Sequence, residues 1–175
     1  MNKSFLVGNR IPKDFFITKG SGESDITVHA GSYHLALKEA NIEKFNIMTY
    51  SSILPKEATL IKQPTNMIFG SVLESIMAVS TGNSGDIISA GIIYGWLYDK
   101  GNHKYGGLVC EHNGNYEVEE IENLLHKSLN ELYINGFQDF EMKDINMISN
   151  SFIPEKKFGT TLVSLSFVNY LVPYL

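Results

Sequence analysis

The spacing of apolar positions changes several times along the 175-residue chain, and each change marks an element. Residues 13–19 (KDFFITK) are rich in aromatic and β-branched side chains and read as a strand, closed by the turn signal GSGES at 20–24. From Ala30 to Ala40 the pattern of Tyr33, Leu35, Ala36 and Leu37 predicts a helix, with His29 or Ser32 near its start and Asn41 past its end. A second strand is expected at 45–50 (FNIMTY). Asn46, Met48 and Tyr50 share one of its faces, and Ser52 keeps that parity if the chain stays extended.

Between Met67 and Asp99 the chain is dominated by Gly, Ser, Ile, Val and Tyr. Breaks at 81–85 (TGNSG) and 99–101 (DKG) predict several buried strands joined by tight turns. Gly106–Glu111 (GGLVCE) reads as another short strand. The clearest helix is 117–135, where Val118, Ile121, Leu124, Leu125, Leu129 and Leu132 recur at three- and four-residue spacing. Glu117, Glu119, Glu120 and Glu122 crowd its start, complementing the helix dipole, and Gly136 is a terminator. Residues 144–150 and 160–170 alternate as strands. With no repeat or linker, the pattern predicts one domain of the α+β class, with two main helices and mostly antiparallel sheet.

Composition narrows the function. An apolar fraction of 43% with 19% charged residues is that of a globular protein. A net charge of −5, with Lys156-Lys157 the only adjacent basic pair, argues against a nucleic-acid or anionic-membrane partner. One cysteine, Cys110, excludes an intrachain disulfide framework and fits a reducing, cytoplasmic setting. The start MNKSFLVGNRIP has too short an apolar segment for a secretory signal. The tracts Ile87–Tyr98 and Thr161–Leu175 fall short of the ~20 apolar residues of a membrane span.

The residues with the most chemical content are Ser51-Ser52, in the run FNIMTYSSILP (45–55). A serine pair that ends a β-rich run and is followed by apolar residues and Pro55 is a candidate for backbone self-cleavage, converting Ser52 into a pyruvoyl group. A serine hydroxyl is a weak nucleophile, so such a cut needs a strained backbone or donors for the developing oxyanion. Cys110 and His112 lie two apart on one strand face with Glu111 on the other, and a buried strand cysteine is ordinarily a small apolar residue. The histidines at 29, 34, 103, 112 and 126 show no metal-site spacing, and GSGES is not a phosphate-binding fingerprint.

Five segments together resemble the pyruvoyl-dependent arginine decarboxylases: FFITKGSGES (15–24), LALKEANIEK (35–44), NIMTYSSILP (46–55), GGLVCEHNG (106–114) and the long helix ending in NGF (135–137). The resemblance implies a four-layer αββα sandwich that assembles as trimers or paired trimers, with sites between subunits. It implies cleavage of the single domain 1–175 into 1–51 and 52–175. Asn46 would assist the cut. The pyruvoyl cofactor made from Ser52, with neither pyridoxal phosphate nor metal, would form a Schiff base with arginine and release CO2 and agmatine. Glu111 would return the proton to the α-carbon.

Substrate contacts fall to His34 and Ile53. At His34 the sequence departs from the family, whose members usually carry an acid there. A carboxylate accepts two parallel bonds from a guanidinium, whereas a neutral imidazole offers one acceptor. Glu23, Asp25 and Asp86 remain as other acids for that role, and another amino acid as an alternative substrate. An unprocessed, non-catalytic paralogue acting as a binding or regulatory subunit is the alternative in a different class.

Overall fold

Residues 9–173 are described by a computed structural model. The reading of the N-terminus as too weakly apolar for a signal rests mainly on residues 1–8, outside the described residues. In chain order the elements are β1 (Ile11–Pro12), β2 (Asp14–Ser24), a π-type turn (Val28–Tyr33) running into α1 (His34–Glu39), β3 (Asn46–Thr49), β4 (Ile53–Pro55), β5 (Thr59–Leu60), β6 (Val72–Asn83), β7 (Ile88–Tyr98), β8 (Lys104–Gly114), α2 (Val118–Gly136), β9 (Glu141–Phe152), β10 (Phe158–Phe167) and β11 (Tyr170–Leu171).

One sheet has five strands in the order β3-β6-β10-β2-β5, and a second has four in the order β4-β8-β7-β9. β1 and β11 form a small pair. All pairings are antiparallel except β2–β5 and β3–β6. The expected mostly antiparallel domain with two helices is therefore what forms.

Period-two alternation sends successive side chains to opposite faces, and three apolar clusters result. Phe15, Ile76, Ile92, Val109, Leu165 and Phe167 meet in a cluster drawn from both main sheets. Ala36 and Leu37 of α1 pack with Phe16, Leu73 and Leu162 of the five-stranded sheet. Ile121, Leu125 and Leu129 of α2 pack with Ile93, Leu97 and Leu108 of the four-stranded sheet. β7 supplies both the first and third clusters, which explains its continuous apolar run: both of its faces are covered.

Three expectations change. GSGES is not a turn, because β2 runs on through Ser24, paired throughout with β10. The glycines serve a different purpose there. A Cβ at Gly22 would lie 2.5 Å from Ala36 N and 2.6 Å from Leu35 Cβ, and one at Gly20 would lie 2.8 Å from Ala40 N. Bare backbone lets α1 sit directly on the strand. Residues 67–99 form two long strands rather than several short ones. Gly136 lies within the last turn of α2 instead of past its end. Asn41 does end the first helix, in the left-handed conformation at φ 56°. Among the described residues no helix is long and apolar enough to cross a membrane.

These contacts set opposite expectations for two glycines. Gly22→Val should cost roughly 1–3 kcal/mol by overpacking against α1. Gly136→Ala meets nothing within 4 Å and should be neutral or stabilising by up to about 1 kcal/mol. Thermal or urea denaturation of the two variants measures both.

Candidate active site

The chain leaves β3, on one edge of the five-stranded sheet, and enters β4, on one edge of the four-stranded sheet. Tyr50, Ser51 and Ser52 make that crossing. The Tyr50 N–H donates to the Ser75 carbonyl at 2.8 Å, and the Val109 N–H donates to the Ser52 carbonyl at 2.9 Å. The Ser51–Ser52 peptide thus lies between two backbone anchors, one in each sheet. Ser51 is exposed and Ser52 half-buried.

A third bond closes the crossing. The Ile53 N–H donates to the Ser51 carbonyl at 3.0 Å, a three-residue turn centred on Ser52. The turn ends the extended parity at Tyr50, so Ser52 does not share a strand face with Asn46. Ser52 keeps a negative φ, so the device here is a donor rather than left-handed strain. If the Ser52 hydroxyl attacks Ser51, the negative charge develops on the oxygen that Ile53 already contacts. These residues fit a pyruvoyl group: Ser52 would begin a chain whose first carbonyl is held and polarised by Val109.

Glu111 lies inside β8 rather than at a strand end, opposite Ile92 of β7. It shares a face with Val109, two residues or about 7 Å away. The β4–β8 pairing stops at Leu108, so Glu111 stands on an open stretch of sheet edge. Its side chain still reaches solvent, yet burial by surrounding protein raises the carboxyl above its usual range. Cys110 belongs to the α2 side of the sheet, where burial pushes its thiol up to about 11. The His112 Nε2 bonds the Ser128 hydroxyl of α2 at 2.8 Å, not the thiol. A protonated thiol without a base is not a nucleophile.

Other expected residues lie apart within one chain. Asn46 Nδ2 donates to the Gly70 carbonyl at 2.8 Å. Four extended residues, about 13 Å, separate Asn46 from Tyr50. His34 is exposed on the first turn of α1, which packs through the opposite face of the five-stranded sheet from the inter-sheet cluster. Ile53 is exposed and lines an apolar groove of about 460 Å³ with Leu54, Pro55, Tyr105 and Phe137.

The alternative acids hold backbone. Glu23 Oε2 accepts from the N–H groups of Glu155 and Lys156, Asp25 from Lys157, and Asp86 from Asn83.

Sequence reading missed Glu74. It is only 2% exposed, on the face of β6 that carries Ile76 and Ala78, and it pairs with Arg10. Arg10 also covers the Tyr170 ring at 4.9 Å, and burial, with Glu74 as the next cause, pushes the Tyr50 and Tyr170 phenols above their usual range. The signal was present: one acid in the apolar run VLESIMAV, on the inward parity of a buried strand.

Comparison with known proteins adds a separate line of evidence. The family model described as pyruvoyl-dependent arginine decarboxylase matches residues 14–172. The pyruvoyl-dependent arginine decarboxylase AaxB of Chlamydia caviae is 31% identical over 185 residues, covering 93% of this chain and 94% of that protein. Its namesake in Chlamydia pneumoniae is similar to the same extent, 31% over 185 residues with 93% and 94% coverage. The pyruvoyl-dependent arginine decarboxylase of Methanocella arvoryzae is 26% identical over 158 residues, covering 88% of this chain and 93% of that protein.

The raised Glu111 carboxyl has a thermodynamic signature. A folded-state value above the unfolded one favours the folded protein when Glu111 is protonated and disfavours it once ionised. Glu111→Gln should therefore melt higher than the parent at pH 8, and the gap should close as pH falls below about 4. Melting temperatures across that range check the sign.

Proposed function

The chain belongs to the pyruvoyl-dependent arginine decarboxylase family, and on that premise we propose that it cuts itself between Ser51 and Ser52 and then converts arginine to agmatine and CO2. The observation that carries the reading is the crossing itself, an accessible peptide between two anchors whose scissile carbonyl already accepts the Ile53 N–H. In the cut, Ser52 Oγ bonds to the Ser51 carbonyl carbon. The C–N bond breaks as the hydroxyl proton passes to the Ser52 nitrogen, leaving an ester. Loss of the Ser52 α-proton then expels Ser51 as a carboxylate, and one water hydrolyses the remaining enamine to a ketone, releasing ammonia.

The resulting pyruvoyl group supplies an electrophilic ketone that captures the substrate amine and takes up the electrons left by CO2. The chain's own residues do the rest. Val109 N–H holds the adjoining carbonyl. Glu111, kept protonated further up the pH scale by burial, returns a proton to the α-carbon. Ile53 supplies an apolar contact beside the ketone, and His34 meets the distal end of the substrate.

The same proposal includes the αββα layering, supported by one apolar cluster between the sheets and one under each helix. It also includes a homotrimer or a pair of trimers, with His34 and Asn46 acting on the crossing of a neighbouring subunit. Exposed Met48, Ile53, Ile68, Phe69 and Val72, on β3, β4 and the segment entering β6, support assembly. A cytoplasmic location belongs to the proposal as well, in keeping with the unpaired Cys110.

Intact-mass measurement of the purified protein should find two fragments, the second beginning with a ketone that borohydride traps in the presence of arginine. Ser52→Ala should give one uncut chain. CO2 release should be greatest from arginine among arginine, lysine, ornithine, histidine and aspartate, and Glu111→Gln should lower it roughly 10²–10⁴-fold. A wild-type chain that stays whole would overturn the enzyme reading in favour of a non-catalytic paralogue. Turnover of another amino acid but not arginine would replace the substrate.

A further inference from the structure

An arginine side chain ends in a guanidinium, and a carboxylate that recognises it needs an oxygen to spare. Glu23, Asp25 and Asp86 are taken by backbone N–H groups. Glu39 takes the Ser21 N–H, and Glu122 takes the Ser149 hydroxyl. Glu74 differs. It is buried, its Oε1 takes Nη2 of Arg10, and its Oε2 has no hydrogen-bond partner among the described residues.

Glu74 therefore already binds a guanidinium, and the one it binds is held lightly. The Arg10 side chain is half-exposed and reaches a single oxygen from a position just ahead of β1. Its guanidinium carbon lies 4.9 Å from the centre of the Tyr170 ring. A carboxylate beside an aromatic face offers a guanidinium its charge partner, its acceptors and a stacking surface. A free guanidinium has no backbone tether, so it can present two parallel N–H groups and take both oxygens. Exchanging one guanidinium for another keeps the buried charge paired and fills the oxygen that Arg10 leaves empty.

The crossing is within reach of this carboxylate. Glu74 precedes Ser75, whose carbonyl takes the Tyr50 N–H at 2.8 Å. Ser52 follows Tyr50 by two residues, at most about 7 Å of chain. An extended arginine side chain spans about 6 Å from Cα to the guanidinium carbon. Glu74 also has the parity of Ile76 and Ala78, which meet Val109 between the sheets, so it faces the side on which Glu111 stands.

We propose that Glu74 is the acid that recognises the substrate guanidinium, and that Arg10 occupies its place until substrate displaces it. Arg10 is thus a built-in competitor for the site. His34 offers the distal end of the substrate one acceptor, and Glu74 supplies the negative charge. The inference rests on the arginine reading above.

Two measurements test it. In steady-state kinetics of the processed enzyme, Glu74→Gln should raise KM for arginine roughly ten- to a hundredfold, the effect of losing a charged hydrogen bond. It should leave kcat within about threefold, because a contact remote from the reacting carbon is made equally before and during reaction. Citrulline carries a neutral urea in place of the guanidinium, and its inhibition constant should change by less than about twofold. The second measurement needs no turnover. Arg10→Ala should melt lower than the parent, and millimolar methylguanidinium should recover about 3 °C or more, whereas methylammonium should not. Adding Glu74→Gln to Arg10→Ala should abolish that recovery.

An unchanged KM for arginine in Glu74→Gln, or equal weakening of arginine and citrulline, would overturn the inference. So would absence of recovery by methylguanidinium, or equal recovery by methylammonium. If Glu74→Gln does not fold, the recovery of Arg10→Ala decides alone. A parent that is cut yet does not turn over arginine would overturn the arginine reading and this assignment with it, a distinct result seen without any variant.

Discussion

Two backbone hydrogen bonds, Tyr50 to Ser75 and Val109 to Ser52, hold the chain where it passes from the edge of one sheet to the edge of the other. Everything distinctive about the site depends on that pair. Because each bond belongs to a different sheet, the intervening peptide is fixed at both ends without being part of either ladder. It can stay accessible and still be aligned, a combination that neither a strand interior nor a free loop provides. Gly20 and Gly22 let α1 pack directly on β2, and β7, covered on both faces, joins the inter-sheet cluster to the one under α2.

Much of this was legible in the sequence. β-rich and apolar runs located β3, β8 and β10, and three- and four-residue spacing located α2, whose Ile121, Leu125 and Leu129 are buried on one face. The family was legible through the motif context around Ser52 and Glu111. What was not legible came from tertiary geometry. GSGES has turn composition, yet its glycines answer to a helix further down the chain, at Leu35, Ala36 and Ala40, a contact no local pattern encodes. Glu111 looked like a strand terminus because His112, Asn113 and Gly114 are poor strand formers, yet they pair with β7 through Gly91, Ala90 and Ser89. Glu74 was visible as an isolated acid, but its partner Arg10 lies 64 residues away, and only folding brings the two together.

Two carboxylates therefore take different parts on the same inward-facing side of the sheets. Glu74 is enclosed and tied to a guanidinium. Glu111 stands at an open edge without a Lys or Arg partner among the described residues, so loss of water is the largest influence on it and favours the protonated form. One is suited to hold a guanidinium in place and the other to carry a proton. The difference comes from neighbours, not from the side chain, which is identical in the two.

If the chain is cut at Ser51, the position of β2 has a consequence for how the two pieces would be held together. It lies between β10 and β5, pairing along its full length with a strand from beyond the crossing, while α1 and β3 come from its own side. After scission at Ser51 the N-terminal piece would keep a central strand, a helix and an edge strand of one shared core, joined to the remainder by no peptide bond. A precursor folds as a single chain, with loop closure paid once within the molecule. The mature form, once unfolded, would have to reassemble from two separate chains, so its recovery would depend on concentration and its working lifetime on how slowly it opens.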